Sequence, residues 1–441
     1  MKENSNLNIV IENFRAINKA DININGITVL AGENGCGKST ISRLVYYLYK
    51  TIANYDNIIS ENLNDELRNI YTFLRITIDD IFNKKSDKLV RLEYQNELNN
   101  ISRDFDTQIL NISLFDRLIN FITKLQISIR LEEGINISVV NRLNFIVKDL
   151  TKVNTDGEKN LFALLELIKD KVDSLFKEAS GFKKSRSTKI FRDELIEVFH
   201  DDELPKKFTI SEFGQEIVSL NKNNLSIPYY IQNVIYIDTP MMLGIETFDN
   251  KHWNNLNEDI RLIQNSTQRR NNVFSNLIAE EIIGGEASYD DNFLSSMNYS
   301  FKRKDGEIFD LLDCATGVKS FSIIQLLLKN NAINDKTLVI IDEPESHLHP
   351  QWIIEYARLI VLLNKYLGIK FLIASHNPDM VSALKIISEK EENSNTLDYY
   401  LAEKVEKYSY NYSHLSNDID PIFGSFNIAF DRMNLYGGND V

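Results

Sequence analysis

The sequence is poor in the features that mark exported, membrane-spanning or nucleic-acid-coating chains. It has two cysteines in 441 residues, Cys36 and Cys314, which allow at most one disulfide. Both lie in segments that other motifs assign to nucleotide binding, so a structural bridge is not expected. No apolar run reaches the roughly eighteen residues of a membrane span. The opening "MKENSNLNIVIENF" lacks the apolar stretch of a signal peptide, so the expectation is a cytoplasmic protein with no membrane contact. Positive charge is also short: 49 Lys and Arg face 63 Asp and Glu, a formal net charge of -14. Such a field repels a polyanion at long range and argues against a surface dominated by phosphate contacts. A local basic groove stays compatible with it. The candidates are "GFKKSRSTKIFR", with Lys183, Lys184, Arg186, Lys189 and Arg192, and the pair Arg269 and Arg270, although a solvated loop or helix face explains either as well.

What is present is ample apolar material, 43% of residues, in a chain longer than one ordinary domain. Two folded units, or one domain with a large insertion, are expected. The stretch "VLAGENGCGKST", Val29 to Thr40, has the spacing of a P-loop, with Gly32, Gly37, Lys38 and Ser39 in register. A buried strand precedes it in "ITVL" and a helix follows in "STISRLVYYLYK". Glycines let backbone N–H groups close round phosphates, and the helix N-terminus adds the favourable end of its dipole. Asn34, Gly35, Cys36, Gly37, Lys38, Ser39 and Thr40 are therefore the nucleotide-binding candidates. Lys38 reaches the terminal phosphates and Ser39 offers its hydroxyl to Mg²⁺.

Three hundred residues on, "KTLVIIDEPESHLHPQW" carries a continuous apolar run, Leu338 to Ile341, that ends in Asp342 and Glu343. This is the pattern of a parallel strand covered on both faces, with two carboxylates at its C-terminal edge, where open α/β folds bind ligands. Asp342 is the second Mg²⁺ candidate, and Glu343 is placed to polarise the water that attacks a γ-phosphate. A helix, "WIIEYARLIVLLNKY", and another buried strand, "IKFLIAS", lead to His376. A right-handed crossover would set that strand beside the carboxylate strand and His376 on the same edge. The alternation of Glu345, His347 and His349 also invites a metal reading.

The segment "LLDCATGVKSFSIIQLLLKNN" predicts a helix with Thr316 as its cap, Gly317 open at the first turn, and Lys319 close by. That is a second anion-binding helix end, where one phosphate cradle is already complete. It is needed only if two copies of the chain sandwich the γ-phosphate.

In order and kind, P-loop, degenerate signature, "IIDEPESHLHP" and "ASHNPDM" resemble the ABC-type ATPases of the SMC, RecF and OLD lineage, and among them the stand-alone AAA15/AAA21-type ATPases of bacterial defence operons. The resemblance covers residues 8 to 48 and 230 to about 403. It implies an α/β P-loop NTPase of ABC type, a mixed sheet flanked by helices, with ATP and Mg²⁺ as cofactors. It places Thr316, Gly317, Val318 and Lys319 at the signature, where only Gly317 keeps the family's residue, Ser346 to His349 at the D-loop, and His376 at the switch histidine. Gln232, before the strand "VIYIDTP", is a weak candidate for the Q-loop glutamine. Phe14 and Arg15 would neighbour the base or ribose, with a core Phe as the equal alternative.

Residues 51–205 read as a helical insertion, too irregular for a long coiled coil. The expected organisation is residues 1–50 and 206–403 as the ATPase core, 51–205 as the insertion, and 404–441 as a C-terminal strand and aromatic tail. A two-stranded hairpin is expected to turn at Asp305 and Gly306. No nuclease motif follows His376. The resemblance thus implies an ATP-hydrolysing switch, forming a homodimer or higher homo-oligomer, that controls a separate effector, a nuclease, in anti-phage defence. Nucleic acid would be met through that effector or a local basic patch. The alternative is a DNA-repair-like ATPase of RecF or SMC kind that acts on DNA directly.

Overall fold

The computed structural model describes residues 6–82, 88–105, 112–131, 137–155, 160–201, 203–244, 251–261, 269–290, 298–416 and 418–424. The aromatic tail from residue 425 onward and the side chains of Arg269 and Arg270 lie outside them. The chain divides into two compact units, residues 1–53 with 188–441, and residues 54–187.

The first unit opens with β1 (Leu7–Phe14), β2 (Ile17–Ile24), β3 (Ile27–Ala31) and α1 (Lys38–Ala53). The second unit is helical: α2 (Tyr55–Ile81), α3 (Lys88–Ser102), α4 (Ile112–Leu131), α5 (Ile137–Thr151) and α6 (Leu161–Ser185). Its core follows the three-and-four spacing of the sequence, with Leu67, Leu74, Phe121, Leu143, Leu164 and Ile168 fully buried. Asn160 caps α6 by accepting from the N–H of Phe162, and the helix ends at Arg186 in the left-handed region.

The chain then returns to the first unit through α7 (Thr188–Phe199), β4 (Lys207–Glu212), β5 (Gln215–Ser219) and β6 (Asn233–Ile237). After α8 (Lys251–Arg261) and α9 (Arg269–Leu277) come β7 (Gly285–Tyr289), β8 (Tyr299–Arg303) and β9 (Ile308–Asp310). Next are α10 (Thr316–Lys329), β10 (Thr337–Asp342), α11 (Pro350–Leu367), β11 (Lys370–Ser375), α12 (Pro378–Lys390), β12 (Leu397–Glu406) and β13 (Ser409–Ser416).

Among the described residues, ten strands form one mixed sheet in the order β5-β4-β1-β2-β13-β12-β3-β11-β10-β6. Parallel pairing joins β12 to β3, β3 to β11, β11 to β10 and β10 to β6, and the β1, β2 and β4 side is antiparallel. The central strands β3, β10 and β11 are buried at every position, as runs without alternation require. Helices α10, α11 and α12 supply the aliphatic stripe that covers them, with Phe321, Leu327, Ala357, Ile360 and Val381 in one cluster with Val29, Val339 and Ile373.

Three boundaries differ from the sequence expectation. Helix α7 belongs to the first unit, because Phe199 packs edge-on to Phe14 of β1 and Phe191 lies against Phe208 of β4. The C-terminal hairpin is not an appendage: β12 and β13 are inner strands between β3 and β2. The hairpin at Asp305 and Gly306 gains a third strand, β7, and Gly306 takes φ +92, a conformation that favours glycine.

One buried carboxylate fixes the approach to β6. Glu212, 4% exposed, accepts the backbone N–H groups of Tyr229 at 2.7 Å, Tyr230 at 2.9 Å and Ile231 at 3.2 Å. Replacing it with alanine strips three donors of their acceptor, a cost on the order of 3 kcal/mol. Glu212→Ala is expected to lower the midpoint of thermal unfolding of the full chain, and Glu212→Gln, which keeps one acceptor oxygen, to lower it less. Equal losses would mean that the charge, not the three-way acceptance, is what counts.

Candidate nucleotide site

The P-loop lies between β3 and α1, and its backbone explains its glycines. Gly32, Gly35 and Gly37 have φ of +151, +81 and +99. A Cβ at Gly32 would meet Ala402 of β12 at 2.8 Å, and one at Gly37 would meet Ile17 of β2 at 2.8 Å. The loop is thus formed against strands from both ends of the chain. Tyr412 of β13 adds a hydroxyl that donates to the Cys36 carbonyl at 3.3 Å. Lys38 is buried, and its Nζ donates to the carbonyls of Gly32 at 2.9 Å and Glu33 at 3.0 Å. A cavity of about 410 Å³ is lined by Asn34, Gly35, Gly37, Lys38, Ser39, Thr40, Arg15 and Glu343. Arg15 stands on its wall, whereas Phe14 is buried in the core against Phe199.

Asp342 closes β10. Its Oδ1 accepts from Ser42 at 2.7 Å and its Oδ2 from Tyr236 at 2.7 Å. Burial pushes its carboxyl above the usual range, and the hydrogen bonds from Ser42, Tyr236 and Ser39 work against that. Burial and then Asp342 itself hold the Tyr236 phenol well above its ordinary value, so it remains a proton donor. Glu343 follows with φ +48, left-handed for a bulky side chain, and its N–H still bonds to the Ala374 carbonyl of β11 at 2.8 Å. That turn leaves its side chain 42% exposed, with Oε1 at 3.4 Å from His376 Nδ1 and Oε2 accepting from Ser346 at 3.2 Å. His376 follows the end of β11, and the next residue, Asn377, caps α12 by accepting from Asp379 and Met380, with Pro378 at the first helical position.

A second cavity, about 450 Å³, is lined by Ser39, Arg43, Tyr236, Asp238, His252, Trp253, Asp342 and Glu343. Its far wall was not legible in the sequence. Asp238 follows the C-terminal end of β6, and its Oδ2 lies 3.2 Å from Nε2 of the buried His252, whose Nδ1 faces the Tyr47 hydroxyl at 3.3 Å. The available signal was a carboxylate one residue past an apolar strand, the same signal that marks Asp342. Gln232 is not part of this edge. It precedes β6, at the opposite end of the strand, where its N–H bonds to the Lys336 carbonyl.

The signature segment differs in detail. Ala315, not Thr316, is the cap residue of α10, and no side chain caps the helix. Thr316 Oγ1 instead donates to the His347 carbonyl at 3.4 Å. Gly317 is not open: an added Cβ would sit 2.3 Å from the Trp352 ring. Thr316, Gly317 and Lys319 line neither of the two cavities that hold Ser39. In "ESHLHP" the three alternating groups also diverge. Glu345 turns inward to Ser375, and His349 caps α11 by accepting from the N–H of Gln351.

The donor set fits ATP and Mg²⁺. The glycine loop presents backbone at a helix start, and a buried carboxylate stands next to Ser39 at the strand end. Asp342 also generates a stability prediction. A carboxyl whose pKa rises on folding binds more protons folded than unfolded, so its ionisation costs stability as pH climbs through the raised value. Asp342→Asn should therefore melt higher than the parent protein at neutral pH without nucleotide or Mg²⁺, and the difference should shrink below pH ~4, near the ordinary Asp value. A lower melting point at neutral pH would show that Ser42 and Tyr236 stabilise the charge by more than burial costs it.

No curated protein matches the chain. Solved structures with a related course include the SMC head domain from Thermotoga maritima, 11% identical over 92% of this chain and 98% of that one, at a TM-score of 0.36. Another is the Smc head domain with an extended coiled coil bound to the C-terminal domain of ScpA, from Pyrococcus furiosus, 12% identical over 97% and 98%, at 0.33. Both scores are too low to bear on function. Among the described residues no helix is long and apolar enough to cross a membrane. Residues 7–381 match the model of the AAA ATPase domain, AAA_15, and the chain belongs to that family.

Proposed function

We propose that the protein is an ATP-hydrolysing switch that closes as a dimer round two nucleotides, and that this closure controls a separate effector, a nuclease, in anti-phage defence. The observation that carries hydrolysis is the convergence of the P-loop, Asp342, Glu343 and His376 on one edge of the sheet. Backbone N–H groups of the loop and Lys38 hold the phosphates. Ser39 and Asp342 would hold Mg²⁺, which supplies positive charge against the β- and γ-phosphate oxygens. Glu343, half-exposed and aimed into both cavities, accepts a hydrogen bond from the attacking water, and His376 stands beside it as a donor toward the terminal phosphate. The water oxygen bonds to the γ-phosphorus as the bond to the ADP oxygen breaks, and the water's proton passes to Glu343 or to phosphate.

Support for the dimer comes from α10. Its first N–H groups have no side-chain cap, and it lines neither cavity of its own chain. A helix end of that kind suits a phosphate brought by a second copy. The effector and the defence role extend from the sequence resemblance. Glu343→Gln should gain mass with ATP and Mg²⁺ in light scattering, with Lys38→Ala unchanged. A Gln variant that stays monomeric with ATP bound rules out the composite site.

One observation favours direct contact with DNA as a second reading. In the helical unit, Lys183 and Lys184 line a cavity of about 720 Å³ with Phe115 and Phe176, whose rings are 5.1 Å apart, while Lys177 on the same wall is paired with Asp173. Lysines beside aromatic faces suit single-stranded nucleic acid. Two other members of the basic run are engaged otherwise: Arg186 stacks on Tyr55, and Arg192 donates to the Leu220 carbonyl. If DNA is the substrate, binding should weaken steeply with salt, and Lys183→Glu with Lys184→Glu should abolish it. Binding that survives the double reversal removes this surface from consideration.

A further inference from the structure

The carboxylate edge contains a further acidic group that the hydrolysis scheme leaves unused. Glu345 lies on the turn after β10 and is 6% exposed. Its Oε1 accepts from Ser375 Oγ at 2.9 Å and from the backbone N–H of His376 at 3.2 Å, and its Oε2 is buried without a hydrogen-bond partner. A dry carboxylate is costly unless a cation or a proton donor stands beside it. The side chain that stands beside this carboxylate and can carry a proton is His376, on the side of Oε1. Its Nδ1 lies 3.6 Å from Glu345 Oε1, is itself buried, and makes no hydrogen bond, although the side chain as a whole is 42% exposed.

Two carboxylates thus flank one ring nitrogen, Glu343 at 3.4 Å and Glu345 at 3.6 Å. They differ in freedom. Glu343 is 42% exposed and must turn toward water to act in hydrolysis, whereas Glu345 is pinned by two donors. If Glu343 were the lasting acceptor for Nδ1–H, every turnover would have to break that contact. A fixed anion on the inner side removes the conflict.

We propose that Glu345 is a positioning residue: its buried carboxylate holds the proton on His376 Nδ1 and the ring in place, so that Nε2 faces the terminal phosphate and Glu343 is free for water. This rests on the hydrolysis reading above. The assignment separates charge from packing, because Glu345→Gln keeps the shape and an oxygen to accept from Ser375 and from the His376 N–H, while it removes the charge and puts an NH2 in place of the second oxygen.

The test is steady-state ATP hydrolysis by the full chain and its Glu345→Gln, His376→Gln and double variants, with ATP affinity measured in parallel. Glu345→Gln should lower kcat by on the order of 10- to 100-fold, the cost of a small misplacement at a reacting centre, with KM and ATP affinity unchanged. The double variant should be no slower than His376→Gln alone. A Glu345→Gln enzyme as fast as the parent, or losses that multiply in the double variant, would overturn the proposal. A parent protein that binds ATP without hydrolysing it would strike the hydrolysis reading instead. Should Glu345→Gln fail to fold, ¹⁵N-histidine spectra of the Glu343→Ala chain decide, since alanine leaves no acceptor at position 343: a protonated Nδ1 on His376 at neutral pH supports Glu345 as its acceptor, and a bare Nδ1 overturns it.

Discussion

Everything at this edge depends on the parallel register of three strands that the sequence scatters over three hundred residues. Ala31 at the end of β3 pairs with Ser375 at the end of β11, and Ala374 pairs with Asp342 at the end of β10. The P-loop, the carboxylates and His376 therefore leave the sheet at one level. A slip of one residue in either pairing would swing Asp342 away from Ser42. The continuous apolar runs do not by themselves forbid such a slip, because each strand is buried on both faces and offers apolar residues on either. The register is pinned instead by polar contacts at the strand end, from α1, whose Ser42 reaches Asp342, and from β6, whose Tyr236 reaches it from the other side.

This also explains which parts were legible in the sequence. Strands β3, β10 and β11 announce themselves because burial on both faces writes an unbroken aliphatic word, and the polar residues that follow each word are the chemistry. A C-terminal strand is expected after residue 404, but the place of β12 and β13 inside the sheet did not show. Tyr400, Tyr410 and Tyr412 look like the residues of a half-exposed hairpin, yet all three are buried. The Tyr400 hydroxyl accepts from the Asn23 N–H, and that of Tyr412 donates to the Cys36 carbonyl. A tyrosine that finds a backbone partner can be buried, and sequence alone does not reveal the partner.

The same limit hid the far wall of the second cavity. Asp238 and His252 are fourteen positions apart, and nothing in their spacing tells that Nε2 meets Oδ2. The start of the signature helix differs from expectation for another reason. Thr316 and Gly317 have the composition of a helix start, and the structure does start a helix there, but one position earlier than a capping threonine requires. The glycine is needed by the Trp352 ring rather than by a ligand approach within this chain. Composition located the element, and packing decided the role of each residue.

Three buried carboxylates show how the fold distributes its electrostatic cost. Glu212 has both oxygens engaged by three backbone N–H groups, at a place where no ligand is expected. Asp342 also has both oxygens engaged, yet burial still drives its carboxyl toward the protonated form. Glu345 is less complete, with one oxygen bonded twice and the other without a partner. Satisfaction thus falls from the structural clamp to the candidate site, and beside the two costlier carboxylates stands Glu343 in a left-handed backbone conformation. Local cost of this kind persists only where surrounding packing over-determines it, and it collects where charge has work to do. A divalent cation next to Asp342 and a proton on His376 next to Glu345 are the two charges that would relieve it.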